Sequence, residues 1–307
     1  MSMRRITIDF MGNKKYLFAF SAALVVISIA ALLVRGLMFG IEFQGGSVMT
    51  FTGTADVSVE RMREALDEAG VAGAGAAVIQ QTDEGDFIVR TSEQDADAAS
   101  LQAQAVLGVL GLPDQDASVT TIGPGWGANV TNAALIALAV SIIAIIGYVS
   151  IRFEYKMSLT AVVALAHDVL IVLGFYALVG HEVTPNTVAA LLTILGYSLY
   201  DTVVVFHRIR ENGQNLVRRS FQQMANDSIN QVLARSINTT LTSLIPVVCL
   251  LAFGGSTLKD FAFALVVGLT LGAYSSVGVA APLYALWKER EPRFQALKRK
   301  AEAHAAK

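Results

Sequence analysis

Six apolar stretches, each long enough to cross a lipid bilayer, constrain this chain more than any other feature of its sequence. A bilayer core about 30 Å thick takes about 20 predominantly apolar residues in a helix. The composition agrees, because 16% of the residues are charged and 54% are hydrophobic, whereas soluble domains carry about 25% charged residues. The sequence therefore predicts a polytopic α-helical membrane protein with spans at 16–36, 133–151, 157–180, 187–206, 237–253 and 261–287.

The first span resembles a secretory signal peptide in one respect, since Lys14 and Lys15 precede it. It is longer than the hydrophobic region of a signal peptide, which is about 7–15 residues, and no small-x-small cleavage site follows it, so we expect a retained helix. The single cysteine, Cys249, cannot form an intrachain disulfide, and its apolar surroundings predict a buried structural thiol. The composition also excludes a disordered chain, a disulfide scaffold and an arm that binds nucleic acid.

Basic residues are concentrated on one side of the predicted membrane. The segment 1–15, the loop after the second span, the loop 207–236 and the tail 288–307 together hold eighteen of the 23 lysine and arginine residues, Arg4 and Arg218 among them. Loops rich in lysine and arginine stay in the cytoplasm. We therefore expect both termini to be cytoplasmic, with a five-helix bundle over 130–287.

The segment 37–129, between the first and second spans, is long enough to form a domain. Residues 36–128 carry fourteen acidic and three basic side chains, so most of the acidity of the chain lies here. The periodicity predicts strands at 47–52, 77–81, 86–91 and 118–122 and helices at 59–69 and 98–110. This β-α-β-β-α-β order is ferredoxin-like. We expect an extracytoplasmic α+β domain with a hairpin turn at Asp83-Glu84-Gly85 and a loop at 73–77.

Two aspartates interrupt the apolar spans. Asp168 lies midway along the third span, and Asp201 lies in the fourth span, one turn after Ser198. An ionisable group in a spanning helix costs about 2.5–3.5 kcal/mol and faces the protein interior or water. Each carboxyl has two interpretations, a structural group that joins helices or a proton relay. His167 points about 100° away from Asp168 on the helix, so we expect it to hydrogen-bond a neighbouring helix.

Arg235 lies just before the fifth span, where it reaches Asp201 if the intervening loop folds back. The residues alone favour an ordinary topology signal for Arg235, and the basic cluster at 208–219 favours a topology signal and contact with lipid headgroups. No phosphate-binding loop, H-E-x-x-H motif or Cys/His cluster occurs, so we expect neither a metal nor a cofactor. An intramembrane aspartyl protease needs two aspartates, but no motif context surrounds Asp168 and Asp201, and we expect no enzyme.

Four stretches carry a recognisable pattern, in this order along the chain: GIEFQGG at 40–46, ALAHDV at 164–169, GYSLYDTVVVFHRIREN at 196–212, and Phe253-Gly-Gly followed by Gly268, Gly272 and Ser275-Ser276. They resemble the signature motifs of the SecF family of bacterial protein translocase subunits. The motif residues are Gly45, Gly46, Gly196, Arg208, Arg210, Glu211, Gly254 and Gly255. The resemblance covers essentially the whole chain.

Three positions differ from the family pattern. Tyr200 stands where the family usually has asparagine, His207 where it usually has aspartate, and Glu42 where it usually has aspartate. Because Tyr200 adjoins Asp201, we expect the hydrogen bonding of that carboxyl to differ from the family pattern.

The resemblance implies a subunit that pairs with SecD in an arrangement similar to the resistance-nodulation-division transporters. The pair joins the SecYEG channel in the bacterial cytoplasmic (inner) membrane, with YajC and YidC as candidate neighbours. It uses the proton-motive force to promote late translocation of preproteins. By matching position, Asp201 is the proton-path carboxylate and Arg235 its basic partner. The supporting intramembrane polar residues are Asp168, His167, Ser198 and Tyr200.

Two other classes compete with this interpretation. A small-molecule or lipid exporter of the resistance-nodulation-division type usually carries larger outer domains and twelve spans in one chain. A purely structural partner has no need of Asp168 and Asp201, whose insertion is costly. We therefore favour the translocase subunit.

Overall fold

The computed structural model describes residues 7–54, 56–71, 73–82, 85–113, 116–214, 216 and 219–305. The basic residues expected at Arg4, Arg5, Arg218 and Lys307 and the turn residues Asp83 and Glu84 lie outside the described residues. The chain divides into two compact units. We call Met1–Met38 with Ala137–Lys307 the membrane unit, and Phe39–Ile136 the acidic unit.

The chain enters the acidic unit through helix α1 and two short elements. Helix α1 spans Lys14–Arg35, strand β1 is Met38–Phe39 and helix α2 is Ile41–Gln44. The remaining elements of the acidic unit are β2 (Gly46–Phe51), α3 (Val59–Glu68), β3 (Val78–Gln81), β4 (Phe87–Thr91), α4 (Ala96–Leu110) and β5 (Ala117–Ile122). The β-α-β-β-α-β order agrees with the prediction, and the loop predicted at 73–77 contains a 3₁₀ turn at Ala74–Ala76.

The acidic unit buries its core between one sheet and two helices. The sheet has the order β3–β4–β2–β5, and each neighbouring pair is antiparallel. Ser58 begins α3 by accepting a hydrogen bond from the backbone N–H of Arg61, as expected of an N-cap. The core is made of side chains that alternate along the strands and follow the helical period: Met49, Phe51, Met62, Leu66, Phe87, Val89, Val106 and Leu107. The classification as ferredoxin-like stays a prediction.

Among the described residues, six helical stretches are long and apolar enough to cross a membrane, as the sequence predicts. The first stretch is α1, and the next four are α5 (Pro124–Arg152), α6 (Tyr155–Val179), α7 (Pro185–Gln214) and α8 (Phe221–Phe253). The sixth begins in α9 (Gly255–Ser275) and continues through a π-helical turn (Ser276–Ala280) into α10 (Ala281–Glu289). Strand β6 (Glu182–Val183) precedes α7, and α11 (Pro292–Ala305) follows α10. The chain is therefore a multi-pass membrane protein.

Two expectations about the fifth span are corrected. The connection predicted at 207–236 is mostly helix, because α7 continues to Gln214 and α8 begins at Phe221. A capping box of Ser220 and Gln223 fixes the start of α8, and hydropathy detects only the apolar part of such a helix. Cys249, predicted to be buried, is exposed on α8.

Glycines let the helices of the membrane unit approach closely. A Cβ atom on Gly174 of α6 would lie 2.2 Å from Cβ of Ser28 on α1. On α9, a Cβ on Gly268 would lie 2.2 Å from Cδ1 of Ile194. Small residues at helix crossings are how spanning helices gain van der Waals contact. The centre of the unit is thus α6, α7, α9 and α10, whereas α1, α5 and α8 leave most of their surface exposed.

One end of the membrane unit, which we call the basic end, is joined by a network of charged side chains. The buried Nζ of Lys156 lies 2.8 Å from Oε1 of Glu291, and Nζ of Lys288 lies 3.1 Å from the same oxygen. Partial burial opposes ionisation of Glu291, but hydrogen bonds from Lys156 and Lys288 outweigh it and lower the pKa of this carboxyl. The network ties α6 to the segment between α10 and α11.

The segment that precedes α1 is fixed to α8 by two asparagine side chains, an arrangement we call the N-terminal clamp. Oδ1 of Asn226 accepts hydrogen bonds from the backbone N–H groups of Phe10 at 2.8 Å and Met11 at 3.2 Å. Asn230 accepts from the N–H of Ile8 at 2.8 Å and donates to its carbonyl at 2.8 Å. The side chains thus pair backbone groups that form no helix or sheet bonds.

The close contact of α6 with α1 makes a prediction for Gly174→Ala. The added methyl group meets Ser28, so we expect the variant to lose about 1–3 kcal/mol of stability through overpacking. Thermal unfolding of the purified chain in detergent measures this loss. The matched control is Gly147→Ala on α5, where nothing lies within 4 Å of the new Cβ. Equal melting temperatures for both variants would contradict the packing.

Candidate functional site

Asp168 joins three helices through its carboxyl group. The residue is fully buried, with 0% exposure. Its Oδ2 accepts hydrogen bonds from the hydroxyls of Ser198 on α7 and Ser275 on α9, both at 2.7 Å. Its Oδ1 lies 3.0 Å from Nδ1 of His167. Hydrogen bonds to a buried carboxyl offset part of the cost of removing it from water, so this group holds α6, α7 and α9 together.

His167 has a different partner from the one expected. Its Nδ1 faces the carboxyl of Asp168, the next residue on α6, and not a neighbouring helix. Adjacent Cβ atoms diverge by about 100° around a helix, but the χ angles of the two side chains bring their polar atoms back together. Its Nε2 is buried and has no hydrogen-bond partner among the described residues.

Asp201, on α7, faces α8, and only one of its two carboxyl oxygens has a hydrogen-bond partner among the described residues. It is 6% exposed, and its Oδ1 accepts a hydrogen bond from the hydroxyl of Ser236 on α8. Its Oδ2 is buried and finds no hydrogen-bond partner in the described part of the chain. A buried polar atom without a partner is costly. Only one of the two carboxyl oxygens of Asp201 is therefore satisfied by the described residues, in contrast to Asp168.

Arg235 contacts α7 through Tyr200, the neighbour of the expected partner Asp201. Its Nη2 donates to the hydroxyl of Tyr200 at 2.7 Å, and the guanidinium carbon lies 5.9 Å from the centre of the tyrosine ring. Within the described ranges no ion pair of 4.0 Å or less joins Arg235 to Asp201. Two adjacent pairs, Arg235–Tyr200 and Ser236–Asp201, therefore connect α8 to α7.

Two hydroxyl residues of the site, Ser236 and Thr202, escaped the sequence reasoning. Ser236 follows Arg235 directly and supplies the donor to Asp201. Thr202 and Ser276 lie 2.8 Å apart between α7 and the π-helical turn. Serine and threonine are common in spanning helices, and the sequence signal that could have found them is their position next to the charged residues.

The motif glycines outside the two aspartate sites have backbone roles. In the acidic unit, Gly45 and Gly46 have φ of +75° and +124°, and a Cβ on Gly46 would lie 2.4 Å from the carbonyl oxygen of Thr91. This close approach and the positive φ require glycine. Gly255, at the junction of α8 and α9, also has a positive φ of +68°, and Gly254 is the residue that ends α8.

The motif residues of α7 are divided between the span and the basic end. Gly196 lies within the span, and a Cβ added there would meet nothing within 4 Å. At the basic end Arg208 pairs with Glu211 at 2.6 Å, and Arg210 donates to the carbonyl of Arg152 at 3.2 Å. Among the described residues no group of three or more His, Cys, Asp or Glu side chains could hold a metal ion.

Spanning helices that bury two carboxyl groups define a class, the multi-pass membrane proteins with a polar interior. The family described as "Protein export membrane protein SecD/SecF, C-terminal" matches residues 106–290, and the "SecD/SecF GG Motif" matches residues 30–57. The chain belongs to the SecD/SecF family, and within it to the SecF protein translocase subunits of the Sec pathway.

Relatives from several bacteria are similar to nearly the whole chain. The protein translocase subunit SecF of Streptomyces coelicolor is 40% identical over 97% of this chain and 81% of its own. SecF of Mycobacterium tuberculosis is 37% identical over 92% of this chain and 67% of its own. The crystal structure of SecDF from Thermus thermophilus, described as a translocon-associated membrane protein, superposes with a TM-score of 0.86 at 36% identity. The superposed region is 94% of this chain and 40% of the longer SecDF chain.

The shared acceptor of Ser198 and Ser275 predicts how their substitutions combine. We expect each single change to alanine to cost about 1–3 kcal/mol, as for buried hydrogen bonds to charged groups. The double variant should cost more than the sum, because the first change leaves Oδ2 of Asp168 one donor and the second leaves it none. Thermal unfolding of the four proteins gives the coupling. Strict additivity would mean that the two hydroxyls do not share this oxygen.

Proposed function

We propose that this subunit pairs with SecD in the bacterial cytoplasmic membrane and uses the proton-motive force to promote late translocation of preproteins through SecYEG. Two observations support the pairing and the orientation. A solved relative, SecDF, joins both names in a single longer chain, of which this one covers 40%. The lysine and arginine residues cluster at the basic end, which favours a cytoplasmic location for both termini.

The observation that carries the coupling to protons is the unpartnered oxygen of Asp201. Since Oδ2 is buried without a hydrogen-bond partner among the described residues, a proton can bind there without displacing another group. In the ionised state the same oxygen needs a positive partner, because an unpaired buried charge is strongly unfavourable. The nearest candidate on α8 is Arg235, since the next residue, Ser236, already contacts the same carboxyl.

Arg235 then exchanges between two acceptors. With Asp201 protonated, its guanidinium stays on the hydroxyl of Tyr200, as in this structure. With Asp201 ionised, the guanidinium pairs with the carboxylate and shifts α8 against α7. One charge moved through 100 mV releases about 2.3 kcal/mol, enough to change the ratio of two conformations about fiftyfold. In this proposal the change in the ratio of the two conformations drives the export step.

Asp168 has a supporting role in this proposal. Ser198, Ser275 and His167 surround its carboxyl, so it keeps α6, α7 and α9 as one rigid group. Against that rigid group α8 can move, because α8 is among the least buried spans. In this proposal Arg235 moves with α8, while α6, α7 and α9 keep their positions relative to one another.

Asp201→Asn tests the proposal. The amide cannot bind and release a proton, so we expect secretory precursors to accumulate in cells whose only copy carries this variant. The measurement is the precursor-to-mature ratio of exported proteins, with membrane insertion of the subunit checked by immunoblotting.

The matched control is Asp227→Asn, an exposed carboxyl that pairs with Arg219 at 2.5 Å near the start of α8. It removes the same charge within the first two turns of α8, away from Asp201, and should leave export normal. Normal export in Asp201→Asn at normal subunit levels would overturn the proton role. Efflux of drugs or lipids by the same cells would then decide for an exporter.

Tyr200→Phe tests the exchange of Arg235 between acceptors. The variant keeps the ring and removes the hydroxyl that accepts from Nη2. The released guanidinium favours the ionised carboxylate, so we expect the midpoint of proton flux to move to lower pH. The measurement is the pH dependence of flux in vesicles that contain this subunit and SecD. An unchanged midpoint would show that the hydroxyl does not hold Arg235 in the working cycle.

A further inference from the structure

His167 is a buried ionisable residue that the proposed exchange of Arg235 does not use. Its side chain is 7% exposed, and its Nδ1 lies 3.0 Å from Oδ1 of Asp168. Its Nε2 has no hydrogen-bond partner among the described residues. One nitrogen of a neutral imidazole carries a proton and the other has a free lone pair. The pair of His167 and Asp168 can therefore gain or lose a proton at Nε2.

The neighbours of this pair restrict where its protons lie. Oδ2 of Asp168 accepts hydrogen bonds from the hydroxyls of Ser198 and Ser275, both at 2.7 Å, and these bonds use both of its lone pairs. A proton therefore lies between Oδ1 and Nδ1, bonded to one atom and shared with the other. With that proton alone the pair carries one negative charge. The position left for a second proton is Nε2.

Binding of the second proton removes a buried charge. Within the described residues no lysine or arginine forms an ion pair of 4.0 Å or less with Asp168, and an uncompensated charge is costly in a spanning helix. A proton taken from water forms an N–H bond at Nε2 and makes the pair neutral, and its return to water restores the charge. Both hydroxyls stay on Oδ2 in the two states, so α6, α7 and α9 remain joined.

The other ionisable side chains in the middle of the helices packed against α6 are engaged elsewhere. One belongs to α9 and three belong to α7, with these partners: Tyr274 with Ser21, Tyr197 with Thr240, Tyr200 with Arg235, and Asp201 with Ser236. Residues 17–34 of α1 include no ionisable group. The charged groups at the two ends of α6, Lys156 and His181, lie about three turns or more from His167 along the chain.

His167 lies on the face of α6 that meets α1. Gly174 follows it by seven residues, on the same helical face, and a Cβ on Gly174 would lie 2.2 Å from Cβ of Ser28. Both helices begin at the basic end. His167 is therefore level with Ser21, which precedes Ser28 by seven residues. Ser21, Ser28 and Ala31 are the buried residues of α1, so this helix turns its serine hydroxyls inward.

A short chain of hydroxyl groups leads from this level toward the basic end. Oγ of Ser21 lies 2.9 Å from the hydroxyl of Tyr274 on α9. That hydroxyl donates to the carbonyl oxygen of Leu17 at 2.8 Å, one turn closer to the start of α1. A hydroxyl both donates and accepts hydrogen bonds, so Ser21 and Tyr274 can pass a proton along this line.

We propose that Nε2 of His167 is a proton-binding site of the membrane unit, and that the hydroxyls of Ser21 and Tyr274 carry its proton toward the basic end. This site lies where α6 meets α1 and α9, whereas the proposed function places its proton on Asp201, between α7 and α8. Proton binding at Nε2 is a property of the purified chain. Only its contribution to proton flux rests on the proposed function.

The state of Nε2 is measured by nitrogen NMR of the purified full chain carrying isotope-labelled histidine. The chemical shift of a ring nitrogen separates its protonated from its unprotonated form, and the signal of His167 is the one lost in His167→Asn. We expect Nε2 to gain a proton as the pH falls from about 9 to about 5, a range that brackets the ordinary titration of histidine. A nitrogen that keeps one form throughout would overturn the proposal, whatever the result for Asp201→Asn.

Two substitutions separate a proton role from packing. His167→Asn places an amide donor near the position of Nδ1 but has no basic nitrogen, whereas His167→Leu removes both. We expect the melting temperature to fall in the leucine variant and to stay near the original value in the asparagine variant. Proton flux in vesicles with this subunit and SecD should fall about tenfold or more in both, because positioned proton carriers change rates by about 100-fold to 10,000-fold. Normal flux in His167→Asn would make His167 a packing group and overturn the proposal.

The matched control is His207→Asn, an exposed histidine on α7, which should leave flux unchanged. Tyr274→Phe tests the route, since it keeps the ring and removes the hydroxyl that contacts Ser21. It should lower flux severalfold and leave the pH-dependent signal of Nε2 in place, and unchanged flux would overturn the route. If the original protein gives no flux, the proposed function fails, and the signal of Nε2 alone decides this site.

Discussion

The hydrogen bonds at Oδ2 of Asp168 are the interaction on which the membrane unit depends. A carboxyl with 0% exposure is tolerated only where its oxygens have donors, and the donors come from α7 and α9. Helices α7 and α9 approach closely enough for these bonds because residue 272 is glycine. A Cβ at that position would lie 2.9 Å from Cβ of Ser198. Close packing and hydrogen bonding therefore require each other at this point.

The two intramembrane aspartates have the same chemistry and opposite surroundings. Both oxygens of Asp168 have partners, and these come from residues of the buried centre of the unit. Asp201 has a partner for one oxygen, on the less buried helix α8. The first arrangement leaves no oxygen without a partner, whereas the second leaves one oxygen open to a new partner. In the proposed mechanism the first carboxyl is part of the rigid group and the second binds the proton.

Hydropathy and charge could predict the six spans, the acidic domain and the location of both aspartates, because those features depend on average composition over long windows. Contacts of single side chains could not be predicted in the same way. His167 turns to its own neighbour Asp168, and Arg235 to Tyr200, because χ angles and the positions of facing helices decide between acceptors a few ångströms apart. The exposure of Cys249 depends likewise on which face of α8 meets the bundle.

The N-terminal clamp has a consequence for the order of biosynthesis. The bonds between Phe10 and Asn226 join residues 216 positions apart, and a ribosome adds about 5–20 residues per second. The backbone of this segment therefore stays without its final partners for roughly 10–45 s after it is made. During that time four earlier spans enter the membrane. Docking of the segment onto α8 is thus a late assembly event, which closes the basic end once the fifth span has emerged.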